Sequence, residues 1–280
     1  MAFMRVNFIS ESLRRKVTMN AIVPVDKMMP PGAPKPEKKP FKTLYLLHGI
    51  FGNYQDWVIG TRIERWANEY NLAVIMPSGE NGFYVDHPIR GDMKYGEFIG
   101  KDLVQFTRDL FPLSDKREDT FIAGLSMGGY GAIRNGLKYA ETFGYIGAFS
   151  SALILENAKK STDDAPSFMG QRSYYESMFG DLDKLDGSDN DYKGLVLNLK
   201  KNGKPIPKMY MSCGTEDFLL EANRDYRDFL NEQGVDLTYE EGPGGHDWDF
   251  WDTYIKKFID WLPLEKDVEV GLHSGRVQRD

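Results

Sequence analysis

Hydrophobic and polar residues follow two different patterns along this chain. Residues 4–10 and 16–23 alternate apolar and polar positions on either side of a short polar turn. That period of two predicts a pair of antiparallel strands. From Thr43 onwards, short apolar runs alternate with segments whose apolar residues recur every three or four positions. This second pattern predicts the α/β class, with a mostly parallel sheet and helices on both of its faces.

The apolar runs and the helical stripes can each be located. Parallel strands are predicted at residues 43–47, 72–76, 119–125, 145–150, 208–212 and 237–240. Helices are predicted between or after them, around residues 63–70, 99–110, 129–139, 219–233 and 251–262. The first helical stripe, for example, places Ile63, Trp66, Ala67 and Tyr70 on one face.

Three segments depart from this rhythm. Residues 25–42 are rich in proline and lysine, which predicts a solvated surface loop. Residues 151–207 are polar with clustered aromatics and predict a cap-like insertion. Residues 264–280 resemble a loose polar tail. The strand and helix pattern otherwise runs through the chain, so we expect a single domain over residues 1–280.

Composition narrows the possible functions. The net charge of −7 and pI near 5.3 argue against binding to nucleic acid, whose phosphates require a basic surface. A single cysteine, Cys213, permits no internal disulfide. The sequence shows no signal peptide and no apolar run long enough to span a bilayer. These features predict a cytoplasmic protein that binds no membrane, and they leave a homo-oligomer open.

The candidate chemistry begins at Ser126. Gly124-Leu125-Ser126-Met127-Gly128 lies between a predicted strand and a predicted helix. In this pattern the serine occupies a sharp turn, and glycines on both sides let the strand and helix approach closely. The serine Oγ is thereby exposed, and the N-terminus of the following helix favours developing negative charge. We therefore predict that Ser126 is a nucleophile.

A serine nucleophile needs a base, and the chain has four histidines. His273 lies in the predicted tail, His87 precedes the serine in the wrong chain order, and His48 belongs to the loop after the first parallel strand. His246 remains. It follows the last predicted strand, so the order serine, acid, histidine is possible.

The acid should lie between Ser126 and His246, beyond the carboxyl end of a strand. Glu216 and Asp217 both follow the strand at 208–212. We favour Asp217, because its shorter side chain can be held towards the histidine Nδ1. Asp247 is the second choice, but it adjoins His246 and would reach that ring with difficulty.

Residues after the first parallel strand supply a candidate oxyanion hole. His48-Gly49-Ile50-Phe51-Gly52 could turn inwards and present a backbone N–H beside that of Met127. We assign the loop donor to Ile50, with Phe51 as the alternative. No spacing typical of a zinc site and no phosphate-binding glycine loop is present, so we expect neither a metal nor a cofactor.

Four stretches resemble the esterase D-like branch of the α/β hydrolases. They are residues 47–57 (LHGIFGNYQDW), 121–132 (FIAGLSMGGYGA), 213–218 (CGTEDF) and 242–251 (GPGGHDWDFW). The resemblance implies an α/β-hydrolase fold and a short-acyl carboxylesterase acting on a small-molecule ester. It places the nucleophile, acid and base on Ser126, Asp217 and His246, and the oxyanion donor on Ile50.

The substrate follows less directly from the resemblance. A tributyrin-esterase-like activity is favoured, with feruloyl or acetylxylan esterase second. An S-formylglutathione hydrolase usually has a threonine-cysteine stretch where this chain has Gly52-Asn53-Tyr54. Phe51 and Trp57 are expected to line the acyl pocket. An acyltransferase and a non-catalytic binding protein on the same fold are the remaining alternatives.

Overall fold

Eight strands form one sheet in the computed structural model, which describes residues 1–26 and 39–266. The strands are β1 (Ala2–Ser10), β2 (Arg15–Val23), β3 (Thr43–Leu47), β4 (Ala73–Pro77), β5 (Thr120–Leu125), β6 (Tyr145–Phe149), β7 (Lys208–Gly214) and β8 (Leu237–Gly242). Most of the proline-rich segment 25–42, and of the predicted tail 264–280, lies outside the described residues.

The sheet has the order β1-β2-β4-β3-β5-β6-β7-β8. Strands β1, β2 and β4 pair antiparallel, whereas every pair from β4 to β8 is parallel. The predicted fold class, including the antiparallel N-terminal strands, is confirmed. Because β3 and β5 are neighbours, the loop after β3 and the turn after β5 meet at the same edge of the sheet.

Helices cover both faces of this sheet. They are α1 (Asp56–Gly60), α2 (Ile63–Glu69), α3 (Tyr95–Glu97), α4 (Leu103–Leu110), α5 (Met127–Lys138), α6 (Leu155–Lys160), α7 (Arg172–Phe179), α8 (Tyr192–Lys201), α9 (Leu220–Glu232) and α10 (Trp248–Trp261). A π-helical turn at Phe98–Asp102 joins α3 to α4. Among the residues that the structure describes, no helix is both long and apolar enough to cross a bilayer.

Alternate residues of each central strand enter different cores. In β3, Tyr45 and Leu47 pack in a core with α4, α5 and α9. Leu44 and Leu46 pack in a second core on the opposite face, with α2 and α10. All four side chains are fully buried, so the apolar run of β3 reflects burial on both faces.

The segment at 151–207 contains the three helices α6, α7 and α8, where the sequence pattern showed only a polar interruption. Phe179 and Tyr192 pack edge-on against Tyr130 of α5, with ring centroids 5.9 and 6.1 Å apart. Arg134 of α5 donates from Nε to the Asp189 carbonyl at 2.9 Å. These helices therefore share the core that contains α5.

Candidate active site

Ser126 occupies a strained turn between β5 and α5. Its backbone has φ 53° and ψ −118°, a region that side-chain-bearing residues rarely adopt. The Ser126 N–H donates to the Phe149 carbonyl at 2.9 Å, and the Ser126 carbonyl accepts from the Ala152 N–H at 2.9 Å. Both contacts come from the end of β6, which holds the turn in place.

The two glycines of the motif are required by close backbone contacts. A Cβ on Gly124 would lie 2.3 Å from the Gly128 carbonyl oxygen. A Cβ on Gly128 would lie 2.5 Å from the carbonyl oxygens of both Leu47 and His48. Because these neighbours are backbone atoms, they cannot move aside as a flexible side chain could. The glycines thus allow α5 to start directly against β3 and β5.

The structure brings Ser126, His246 and Asp217 together in one hydrogen-bonded chain. The Ser126 Oγ lies 3.0 Å from His246 Nε2, and His246 Nδ1 lies 2.9 Å from Asp217 Oδ2. An ionised carboxylate only accepts, so Nδ1 donates to Asp217 and Nε2 is free to accept the serine proton. This arrangement can transfer a proton from the hydroxyl to the imidazole.

Asp217 is held as a carboxylate although its side chain is fully buried. Burial raises its pKa, but hydrogen bonds from His246, the Leu219 N–H and Ser150 outweigh that effect and lower the pKa below its usual value. The Leu219 N–H donates to Asp217 Oδ1 at 2.9 Å. A charged carboxylate in this position can stabilise an imidazolium and fix the histidine tautomer.

The other two candidate acids bind elsewhere. Glu216 accepts the Gly244 N–H at 2.6 Å, and that hydrogen bond lowers the Glu216 pKa. Asp247 caps α10, where its carboxylate accepts the Phe250 N–H at 3.0 Å. Each carboxylate is therefore occupied by backbone donors, and of the three it is Asp217 that contacts the His246 ring.

The remaining histidines have other surroundings. His48 is buried; its Nδ1 donates to the Gly49 carbonyl at 2.6 Å and its Nε2 accepts from the Gly79 N–H at 2.8 Å. Burial lowers the pKa of His48, which keeps the ring neutral. His87 accepts the backbone N–H groups of Ile89 and Arg90. His273 lies outside the described residues.

The loop after β3 lies against the start of α5, as an oxyanion hole would require. Met127 is the first residue of α5, so its N–H has no acceptor within the helix. Phe51 has φ 66° and its N–H donates to the Asn81 side chain at 2.8 Å. The Phe51 N–H therefore already has an acceptor, and the assignment of the loop donor to Ile50 stays a prediction.

Phe51 and Trp57, the expected pocket residues, have very different surroundings. Phe51 is 67% exposed at the loop that carries Ile50. Trp57 is only 1% exposed: its indole N–H donates to the Leu47 carbonyl at 2.9 Å, and its ring packs against Phe149 and Trp248. Trp57 thus supports the end of β3 from within the core and does not face an open pocket.

Several residues next to His246 were not singled out from the sequence. The Phe218 ring lies 4.7 Å from the imidazole, between ring centroids, and the Trp251 ring lies 5.0 Å from it. The Trp251 indole N–H donates to Ser150 Oγ at 3.2 Å. Phe218 ends the stretch 213–218 and Trp251 ends the stretch 242–251, and both stretches carry the family resemblance.

The described residues contain no group of three or more histidine, cysteine or acidic side chains that could hold a metal ion. Cys213, the single cysteine, is buried within β7. Burial and the nearby charge of Asp217 raise the pKa of its thiol to about 12, so it stays neutral.

Comparison with known proteins identifies the family of this chain. The model of the family described as "Putative esterase" matches residues 10–262. The chain belongs to this esterase family. It is 48% identical to an acetyl esterase of Caldicellulosiruptor saccharolyticus, over 95% of this chain and 100% of the relative.

Two solved structures from Staphylococcus aureus resemble the esterase along most of its length. One is the fluorophosphonate-binding serine hydrolase FphF, with a TM-score of 0.81 and 33% identity. The other is the S-formylglutathione hydrolase FrmB, with a TM-score of 0.78 and 32% identity. Each alignment covers 93% of this chain and 98% of the other. The esterase is a serine carboxylesterase of the esterase D-like α/β-hydrolase group.

Proposed function

We propose that this esterase cleaves short-acyl carboxylic esters through a triad of Ser126, His246 and Asp217. The observation that carries the proposal is the continuous hydrogen-bonded chain from the Ser126 hydroxyl through His246 to the buried Asp217 carboxylate. A hydroxyl is a weak nucleophile by itself, and an imidazole in contact with it provides the base that it needs.

In the first half of the reaction, Ser126 Oγ attacks the ester carbonyl while His246 Nε2 takes its proton. The N–H groups of Ile50 and Met127 donate to the oxyanion that forms. The carbon–oxygen bond to the alcohol then breaks, and the alcohol leaves with the proton from His246. Water attacks the acyl-enzyme in the same way and releases the acid together with free Ser126.

Short acyl groups are favoured by what lies next to the nucleophile. Ala152 and Leu153 lie shortly after β6 and are buried, and the Ala152 N–H donates to the Ser126 carbonyl. The 48% identical relative is an acetyl esterase. We therefore expect acetyl to butyryl esters, including tributyrin, to be the best substrates.

The nucleophile can be identified by labelling. A fluorophosphonate should modify Ser126, and Ser126→Ala should lower kcat by several orders of magnitude with the fold intact. The matched control is Ser167→Ala, which removes an exposed hydroxyl from the 151–207 segment. Modification of another serine, or turnover that survives Ser126→Ala, would contradict the triad.

A substrate panel separates the alternatives. Rates are compared for p-nitrophenyl acetate to octanoate, tributyrin, methyl ferulate, acetylated xylan and S-formylglutathione. We expect the short p-nitrophenyl esters and tributyrin to give the highest kcat/KM. A clear preference for methyl ferulate, the xylan or the thioester would replace the short-acyl assignment with that activity. Transfer of the acyl group to an added alcohol in preference to water would indicate an acyltransferase.

We further propose that the esterase acts in the cytoplasm. The chain uses no disulfide, since Cys213 is its single cysteine and lies buried in β7. Such a protein needs no oxidising compartment to fold. Fractionation of the source cells, with immunodetection of the esterase, tests this; recovery from the culture medium or the cell envelope would contradict it.

A further inference from the structure

Phe218 presents an exposed aromatic ring beside the base of the triad. It directly follows Asp217, and 78% of its surface is exposed. Its ring centroid lies 4.7 Å from that of His246, with 47° between the ring planes. A phenyl ring in this position covers part of the imidazole and offers its remaining surface to whatever enters the site.

The exposure of Phe218 is built into a fixed turn. The Asp217 N–H donates to the Gly214 carbonyl at 3.1 Å, and the Leu220 N–H donates to the Asp217 carbonyl at 3.1 Å. Leu219, the next residue, is buried and donates to the Asp217 carboxylate. Phe218 therefore stands between two anchored residues, and its ring is directed outwards by a rigid backbone.

The two aromatic neighbours of His246 differ in whether a ligand can reach them. Trp251 is 6% exposed, and its indole N–H donates to Ser150. It therefore contacts the imidazole from the interior of the protein. Phe218 is on the accessible side. Phe51, also largely exposed, follows the oxyanion donor Ile50. Of the two aromatic neighbours of His246, Phe218 is therefore the one that a ligand can contact.

We propose that Phe218 binds the alcohol part of the ester, and that the enzyme favours alcohols with a flat apolar group such as an aromatic ring. The inference rests on the proposed function. The leaving oxygen must take its proton from His246 Nε2, so the first carbon atoms of the alcohol lie beside the imidazole. The accessible ring next to that imidazole is Phe218, and aromatic pairs with centroids 4.5–7 Å apart attract each other.

The experiment compares two acetate esters whose alcohols have nearly equal acidity: benzyl acetate and methyl acetate. Phe218→Ala should lower kcat/KM for benzyl acetate about tenfold more than for methyl acetate, which is the difference expected for an aromatic contact together with its buried area. Phe218→Tyr, which keeps the ring, should behave like the wild type on both esters.

The matched control is Phe3→Ala, which removes an exposed phenyl ring from β1 at the edge of the sheet. It should leave both rates unchanged. Equal losses on the two esters for Phe218→Ala would overturn the proposal, because they would mean that the ring only holds His246 in place. Unchanged kinetics on benzyl acetate would overturn it as well.

A binding measurement separates this proposal from the triad. Binding of benzyl acetate to Ser126→Ala, followed by ligand-detected NMR, should weaken about tenfold when Phe218→Ala is added. Equal binding by the two variants would overturn the role of Phe218, whatever the turnover assays show. This binding assay requires no turnover, so it tests the role of Phe218 even if Ser126 is not the nucleophile. The proposal for Phe218 and the proposal for the triad can therefore fail independently.

Discussion

Asp217 combines complete burial of its side chain with a lowered pKa, because three donors surround its carboxylate. Glu216, its neighbour, is exposed and accepts a backbone N–H. The two adjacent acids of the sequence thus have separate tasks: one contacts the His246 ring, and the other ties the turn after β7 to Gly244.

Asp217→Asn should lower kcat by about 10³-fold or more, because an amide can donate to Nδ1 and stabilise the wrong histidine tautomer. Glu216→Gln is the control. It keeps an oxygen acceptor for Gly244 and should retain most of the activity. Steady-state rates on p-nitrophenyl acetate measure both effects. Equal losses in the two variants, or a larger loss in Asp247→Asn, would show that Asp217 is not the acid.

His48 makes stability depend on pH. Its ring must be neutral, because Nε2 accepts the Gly79 N–H, and burial lowers its pKa in the folded state. The unfolded chain binds the proton at about pH 6.5, so the stabilisation is complete above that pH and is lost as the pH falls towards the folded pKa.

The free energy of unfolding should therefore decrease between pH 7 and pH 5 in the wild type, and decrease less steeply in His48→Gln. Urea unfolding at several pH values measures the two slopes. The absolute stability of the variant will be lower, since it loses contacts to Gly49 and Gly79, so the comparison is between slopes. Identical slopes would exclude His48 as the titrating group.

The unit β5–Ser126–α5 is the element that could be predicted most completely from the sequence. A buried strand, a glycine-flanked serine and a helix follow one another without interruption, and all the signals are local. Helices α6, α7 and α8 could not be predicted in the same way. Phe179 and Tyr192 are fixed by contacts with Tyr130, which is distant in the sequence.

The residues of the candidate site likewise differ in how far they could be predicted from the sequence. Ser126 and His246 could be predicted because chain order and the small number of histidines restrict the choice. The hydrogen bond from the Phe51 N–H to Asn81, and that from the Trp251 indole N–H to Ser150, depend on which loops meet at the edge of the sheet. Such contacts have no periodicity or spacing in the sequence.

At this element scale, Gly128→Ala should be strongly destabilising. The new Cβ would lie 2.5 Å from two backbone oxygens of β3 and the loop after it, so α5 would have to move away. We expect the free energy of unfolding to decrease by about 1–3 kcal/mol or more, as at other overpacked positions, and the activity to decrease as well.

Gly91→Ala is the matched control, since a Cβ there meets nothing within 4 Å. Urea unfolding curves of both variants, recorded beside the wild type, give the comparison. Equal stabilities for the two variants would contradict a tight contact between α5 and β3.

On the scale of the whole molecule, the segment at 151–207 begins shortly after β6, beside the turn that carries Ser126. It contains α6, α7 and α8 and leads into β7. Its first residues, Ala152 and Leu153, are buried next to Ser126. Tyr175 and Phe179 fill the core further on. We propose that this segment acts as a cap that limits the length of the acyl group.

Rates on p-nitrophenyl esters should then peak between acetate and butyrate and fall for chains beyond about eight carbons. Burying one methylene contributes about 0.8 kcal/mol of binding free energy, and the additional methylenes of a long chain would have no apolar surface to contact. The profile of kcat/KM against chain length is the measurement. A profile that keeps rising through decanoate would indicate an open groove and would show that the segment does not limit the length of the acyl group.

The order of strands in the sheet also has a consequence in time. Strands β1 and β2 are adjacent in the chain and can pair within microseconds, as local hairpins do. Strand β3 instead pairs with β4 and β5, which follow it after longer segments of chain, and Ser126 and His246 are 120 residues apart. Closing such long loops is slow, because the entropy of the loop is lost before its contacts form. A nascent chain that has not yet reached His246 therefore carries Ser126 without the imidazole that contacts it in the folded esterase.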